Sequence, residues 1–128
     1  MEKPLKILHA SLIVEDTETS LAFYCGVLGI SIDINRPDLG FPGAWLNIGD
    51  QQIHLLELPN PDPVNGRPDH GGRDRHVAMQ VSNIDALQNK LEKAGLAFTR
   101  SKSGRKALFT RDPDGNALEF IELTALSA

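Results

Sequence analysis

Three histidines and one glutamate in this chain sit at spacings that could do chemistry together. His9 and His54 lie 45 positions apart (54 minus 9), and His76 and Glu119 lie 43 apart (119 minus 76). Imidazole nitrogens and carboxylate oxygens are the donors that hold divalent transition metals, and such ligand sets converge from separate strands. Each pair brackets the same succession of signals: an alternating apolar strand, a helix ending at glycine, then further short strands. The pattern is an internal duplication with a potential metal ligand at each end of each copy.

The elements that must position these residues follow from periodicity. Leu5 to Val14 reads as a largely buried strand in which His9, Ser11 and Ile13 share a face. Asp16 is a suitable N-cap for a helix whose periodic residues Leu21, Ala22, Phe23, Cys25 and Leu28 end at Gly29. Strands are expected at Ile30 to Ile34, Ala44 to Ile48 and Gln51 to Leu58, the last two joined by a tight turn at Gly49-Asp50. The second copy opens with His76 to Val81, where His76, Ala78 and Gln80 share a face. Ser82 or Asn83 caps a helix with the stripe Ile84, Leu87, Leu91 and Ala94, stopped by Gly95. Ala97 to Arg100, Ala107 to Arg111 and Ala117 to Leu123 complete it, with Asp112-Pro113-Asp114-Gly115-Asn116 as the final turn. In the last strand Glu119 shares its face with Ala117 and Ile121, opposite Leu118 and Phe120.

The expected fold is therefore α+β. Two βαβββ modules form a curved, barrel-like mixed sheet with helices on its convex face and a concave surface on the other. Module one spans about 5–58, a Pro/Gly-rich linker 59–74, and module two about 75–123, all within one domain of 128 residues. A carboxylate in an apolar strand needs a cation or water beside it, so Glu119 points either to a metal or to a basic residue on a neighbouring strand. Taken alone, His9 and His54 are equally well hydrogen-bonded strand residues. It is the repetition that makes one divalent site of His9, His54, His76 and Glu119 the stronger reading. Gln52, on the face of His54, is either a hydrogen-bonding partner or a plain polar edge residue, and His70 falls in the linker as a surface residue.

Composition excludes other classes. With 41% hydrophobic and 23% charged residues the chain is globular, and its net charge of −4 argues against nucleic acid. No run of about 18 apolar residues exists to span a bilayer, and the N-terminal Met1 to Lys6 has no signal core behind it, so a cytoplasmic location is expected. Cys25, the one cysteine, is expected to be a reduced, partly buried thiol without a reactive role. Arg73, Lys102, Arg105 and Arg111 could anchor a carboxylate or a thiol cofactor at the rim, or face solvent.

His9 in the first strand, the segment Ser20-Leu21-Ala22-Phe23-Tyr24 leading to Val27-Leu28-Gly29, the His76-Val77-Ala78 strand and Asp112-Pro113-Asp114-Gly115-Asn116 followed by Leu118-Glu119 resemble the vicinal oxygen chelate superfamily. That superfamily includes glyoxalase I, the bleomycin-resistance proteins, the fosfomycin-modifying thiol transferases, methylmalonyl-CoA epimerase and the extradiol dioxygenases. The likeness runs from about Leu5 to Leu123. It implies metal ligands at His9, His76 and Glu119, with a fourth position on His54, where glyoxalase I usually has Glu or Gln. His54 and Glu119 would carry the catalysis, His54 as a base that leaves the ion or as a fourth ligand. Zn, Ni, Co, Mn and Fe(II) all suit three imidazoles and a carboxylate. The implied activity is that of a glyoxalase-type lyase or isomerase acting on a small oxygenated molecule through a metal-stabilised enediolate, with glutathione or another thiol as co-substrate. Alternatives are a metal-dependent thiol transferase or extradiol-type dioxygenase, and a metal-free drug-sequestering protein of bleomycin-resistance type. A homodimer is also implied by the resemblance.

Overall fold

The computed structural model describes residues 2–123, so Met1 in the N-terminal reading lies outside the described residues. The chain divides into two compact units, Met1–Asn60 and Pro61–Ala128. Each holds one four-stranded mixed sheet of the same plan.

In the first unit β1 (His9–Val14) is followed by α1 (Thr17–Leu21), a π-helical stretch (Ala22–Val27), β2 (Ser31–Asp33), β3 (Gly43–Ile48) and β4 (Gln51–Glu57). The strand order is β1-β4-β3-β2, with β1 and β4 parallel and the other pairs antiparallel. In the second unit β5 (His76–Val81), α2 (Ile84–Lys93), β6 (Phe98–Arg100), β7 (Ala107–Arg111) and β8 (Ala117–Glu122) repeat it as β5-β8-β7-β6. The predicted α+β pair of βαβββ modules is thus present. Its eight strands are hydrogen-bonded as two sheets of four.

Alternation fixes the faces. Ala44, Leu46, Ile53 and Leu55 are buried with Phe23 and Tyr24 of the helical segment, which leaves Trp45, Asn47, Gln52 and His54 on the opposite face. In module two Leu108, Leu118 and Phe120 are buried with Ile84, Leu87 and Leu91 of α2, and Glu119 takes the other side of β8.

The helices end as expected but not by identical turns. Around Gly95 (φ +71°), Gly95 N–H donates to Glu92 C=O and Leu96 N–H to Leu91 C=O, the Schellman pattern. Around Gly29 (φ +75°) the corresponding bonds run from Gly29 N–H to Cys25 C=O and from Ile30 N–H to Tyr24 C=O, each ring one residue wider. The periodicity from Leu21 to Leu28 predicts a regular helix there. The π turn replaces its second half, and Gly26 in mid-helix weakens the α alternative.

The first strand is shorter than its apolar run predicts. Leu5, Ile7 and Leu8 are 88%, 69% and 64% exposed, and pairing starts at His9. Its partner β4 begins at Gln51 after the Gly49-Asp50 turn, so Gln52 N–H to Leu8 C=O is the last bond that β4 offers.

The breaker-rich segment before His76 packs on module two. Arg111 donates to Pro68 C=O, Gly115 C=O and Asp74, Arg67 also pairs with Asp74, and Arg75 pairs with Asp62. No helix among the described residues is long and apolar enough to cross a membrane.

Candidate metal centre

Each module brings two of the four predicted ligands together, on adjacent parallel strands and at equivalent positions. In module one the His54 Cα is paired with Ser11, two residues beyond His9, and in module two Glu119 is paired with Ala78, two beyond His76. The first pair is His9 and His54, the second His76 and Glu119. Among the described residues, no group of three or more histidine, cysteine, aspartate or glutamate side chains stands ready to hold an ion.

In module one the two imidazoles stack, with ring centroids 3.9 Å apart and planes 15° from parallel. Trp45, opposite His54 on β3, stacks on its far side at 4.4 Å and 8°. Gln52, which sequence left between a partner and a plain edge residue, places its Oε1 2.8 Å from His54 Nε2. Its amide nitrogen donates to Asp33 Oδ2 at 2.9 Å and to Asn47 Oδ1 at 3.0 Å. Burial of the ring pushes the His54 pKa down, and the positive charges of His9 and Arg36 add to this while Asp33 opposes it. A neutral imidazole is the form that can take a proton or a metal.

In module two Glu119 is 4% exposed. One oxygen lies 3.2 Å from His76 Nε2 and the other accepts from Arg105 at 3.0 Å. The basic partner that strand chemistry demands is therefore present, on the loop before β7. His76 Nδ1 lies 2.8 Å from the Asp74 carbonyl oxygen. A carbonyl only accepts, so Nδ1 carries the hydrogen and a neutral His76 turns the bare Nε2 toward the carboxylate. Two lone pairs facing each other repel unless a proton or a cation lies between them. Two donors each about 2.1 Å from a single ion are roughly 3.0–3.4 Å apart, and the Nε2–Oε1 separation of 3.2 Å falls in that window. A ring N–H fixed on a backbone carbonyl is also the usual arrangement behind a metal-binding histidine.

Asp74 thus holds His76 through its backbone, and its own side chain is anchored by Arg111 and Arg67. The Arg111 guanidinium holds the Asp74 carboxyl below its ordinary range, with the Arg75 N–H and Arg67 adding to it. Arg111, a candidate anchor for a substrate carboxylate, is instead occupied within the fold. Neither Asp74 nor Asp33 was singled out from sequence. A signal existed for Glu57 and Glu122, three residues after His54 and Glu119: each accepts from the first N–H of its module's helix, Thr17 at 2.8 Å and Ile84 at 2.9 Å.

His70 lies at the surface, partly exposed. Its Nδ1 accepts from Gly72 N–H, and its ring meets the edge of Phe109 at 4.8 Å, while His76 meets the same ring at 5.4 Å. Phe109, paired with Glu119 across β7 and β8, also lines a cavity of about 200 Å³ with Leu96, Phe98, Thr99 and Asp69. Cys25 is half-buried and unbridged, and burial raises its thiol pKa, which favours the protonated form.

The family model described as Glyoxalase/Bleomycin resistance protein/Dioxygenase superfamily matches residues 6–120. A protein called glyoxylase I 4 from Arabidopsis thaliana is 33% identical over 124 residues, covering 92% of this chain and 71% of the relative. The lactoylglutathione lyase of Haemophilus influenzae is 32% identical over 126 residues, covering 92% and 93%. A crystal structure of a Bacillus anthracis protein assigned to the glyoxalase family superimposes with a TM-score of 0.78 at 25% identity, over 97% of this chain and all of that one. The duplicated βαβββ plan and the match over almost its whole length make this chain a member of the glyoxalase/bleomycin resistance/dioxygenase superfamily.

Proposed function

We propose that the protein is a divalent-metal-dependent lyase of glyoxalase type, with His9, His54, His76 and Glu119 as the ligands of one ion. The single observation that supports it best is the His76 Nε2–Glu119 Oε1 pair, whose 3.2 Å separation is that of two ligand atoms on one ion, with the imidazole's other nitrogen already committed to Asp74. The stacked His9–His54 pair at the equivalent positions of module one supplies the other two donors. Three imidazoles and a carboxylate suit Zn, Ni, Co, Mn or Fe(II) rather than Mg or Ca.

The substrate class proposed is the hemithioacetal of glutathione and a 2-oxoaldehyde, in keeping with relatives named lactoylglutathione lyase. Its isomerisation moves one proton from the carbon bearing sulfur to the neighbouring carbonyl carbon through an enediolate, without gain or loss of electrons. The bound cation supplies the Lewis acidity that stabilises the negative charge on the two vicinal oxygens. Within the chain, His54, when it leaves the ion, is the group to take and return the proton, since burial and the nearby positive charges favour its neutral form. Glu119 is held in place by Arg105 at 3.0 Å. Trp45 packs one face of His54 and excludes water from it. The cavity beside Phe109 suits the carbon portion of the substrate. The proposed assembly is a cytoplasmic homodimer, supported by the apolar Leu5, Ile7 and Leu8 left exposed on the single chain.

The test is elemental analysis of protein purified without added metal, followed by hemithioacetal turnover with each metal restored. About one ion per chain and turnover that returns with Ni, Zn, Co or Mn is the expected result. Full turnover in strong chelator, or none with any metal, contradicts it.

A further inference from the structure

We infer that Gln52 is a positioning residue that fixes His54 as the Nε2–H tautomer, leaving Nδ1 as the nitrogen free to meet a cation or a proton. The inference rests on the reading of His54 as part of the site, and it adds which atom of that ring does the work and what sets it.

The argument begins with the amide, whose two ends cannot be exchanged. Gln52 Nε2 faces two oxygens that can only accept, Asp33 Oδ2 at 2.9 Å and Asn47 Oδ1 at 3.0 Å. Turning the amide over would set its oxygen against the Asp33 carboxylate, which has no hydrogen to give, so Oε1 must be the end that points at His54. That oxygen is 2.8 Å from Nε2 and has no hydrogen to give, so the hydrogen in the contact belongs to the imidazole. The ring cannot swing away to a different partner, because His9 and Trp45 hold its two faces at 3.9 and 4.4 Å. The strands set all of this. Asn47 is the register partner of Gln52 across β3 and β4, Trp45 is that of His54, and Asp33 on β2 is paired with Trp45.

The two modules therefore present opposite tautomers. When neutral, His76 carries its hydrogen on Nδ1, bonded to a backbone carbonyl, and offers Nε2. His54 carries it on Nε2, bonded to a side chain, and offers Nδ1. A backbone carbonyl cannot be removed by substitution, whereas a glutamine can, so the module-one device is open to test.

The experiment is a two-bond proton–nitrogen correlation spectrum of metal-free, nitrogen-15-labelled protein at about pH 8, where imidazoles are largely neutral, with His54 assigned by its loss in His54→Ala. The wild type is expected to show His54 with a protonated Nε2 and a bare Nδ1. Gln52→Met keeps length without an acceptor and is expected to give averaged ring nitrogens. Asn47→Asp retains an acceptor for the amide and is expected to leave the wild-type pattern. In a parallel metal titration Gln52→Met is expected to bind roughly 10–100-fold more weakly, the usual effect of removing a partner behind a ligand. An Nδ1–H tautomer in the wild type, or a Gln52→Met spectrum identical to it, overturns the inference. The spectra need no metal, so a correct tautomer in a protein that binds no ion would overturn the metal reading and leave Gln52's role standing. Tight binding by a protein with the opposite tautomer would do the reverse.

Discussion

Asp74 governs module two at the level of single residues. Its carbonyl fixes the His76 tautomer, and its carboxylate gathers Arg67 at 3.0 Å and Arg111 at 2.9 Å. Removing the acid leaves two guanidinium groups without their counter-charge. Asp74→Ala is therefore expected to cost about 2 kcal/mol, less than a fully buried pair because both arginines are partly solvated. The midpoint of urea unfolding measures this, and a change below about 0.5 kcal/mol would mean the cluster is ornamental. Sequence could reach His9, His54, His76 and Glu119 because each interrupts an otherwise apolar strand at a repeated spacing. It could not reach Asp74 or Asp33, which are acids among turn residues and at a strand end, where acids are common. What distinguishes them is contact across strands, and that appears only with register.

At the scale of elements the two modules share one device. The last strand of each sends a glutamate to the first N–H of its helix, Glu57 to Thr17 and Glu122 to Ile84, which satisfies a helix end that would otherwise lack a partner. The bond from the Ile84 N–H, with Lys106 beside it, lowers the Glu122 pKa from its ordinary 4.5. A carboxylate whose folded pKa is depressed stabilises the fold above the unfolded value and loses that contribution as pH falls through the folded one. Stability of the wild type should therefore decline below about pH 4.5, and Glu122→Gln should be less stable at pH 7 with a shallower acid decline. Denaturant titrations at a series of pH values read both, and parallel acid limbs would refute the assignment. Element types and order were legible because hydrophobic period and Gly/Pro punctuation agree along most of the chain. The turn Asp112–Asn116 is the clearest case. Asp112 accepts from the backbone of Asp114 and Asn116, and Gly115 takes φ +83°, which launches β8 in the register that carries Glu119. Two features were not legible. An apolar run does not say where its partner strand turns away, so Leu5 to Leu8 read as strand. A helical stripe does not separate 3.6 residues per turn from the wider π turn at Ala22–Val27.

At the scale of the molecule, duplication with divergence gives the chain two side-chain pairs of unlike chemistry, a stacked imidazole pair in one module and an imidazole–carboxylate pair in the other. Superfamily membership sets the fold and the range of activities. The exposed Leu5, Ile7 and Leu8 are expected to be covered in a dimer. Sedimentation should find two chains for the wild type and a weakened assembly for Ile7→Glu, and a monomeric wild type at micromolar concentration would count against it. The central claim is that His9, His54, His76 and Glu119 hold one ion. It is tested most directly by equilibrium dialysis of zinc against the wild type and the four single alanine variants, each first shown to be folded. The account predicts one site per chain in the wild type and a loss of about 100-fold or more in affinity for every variant. Four variants that bind zinc as the wild type does would contradict it.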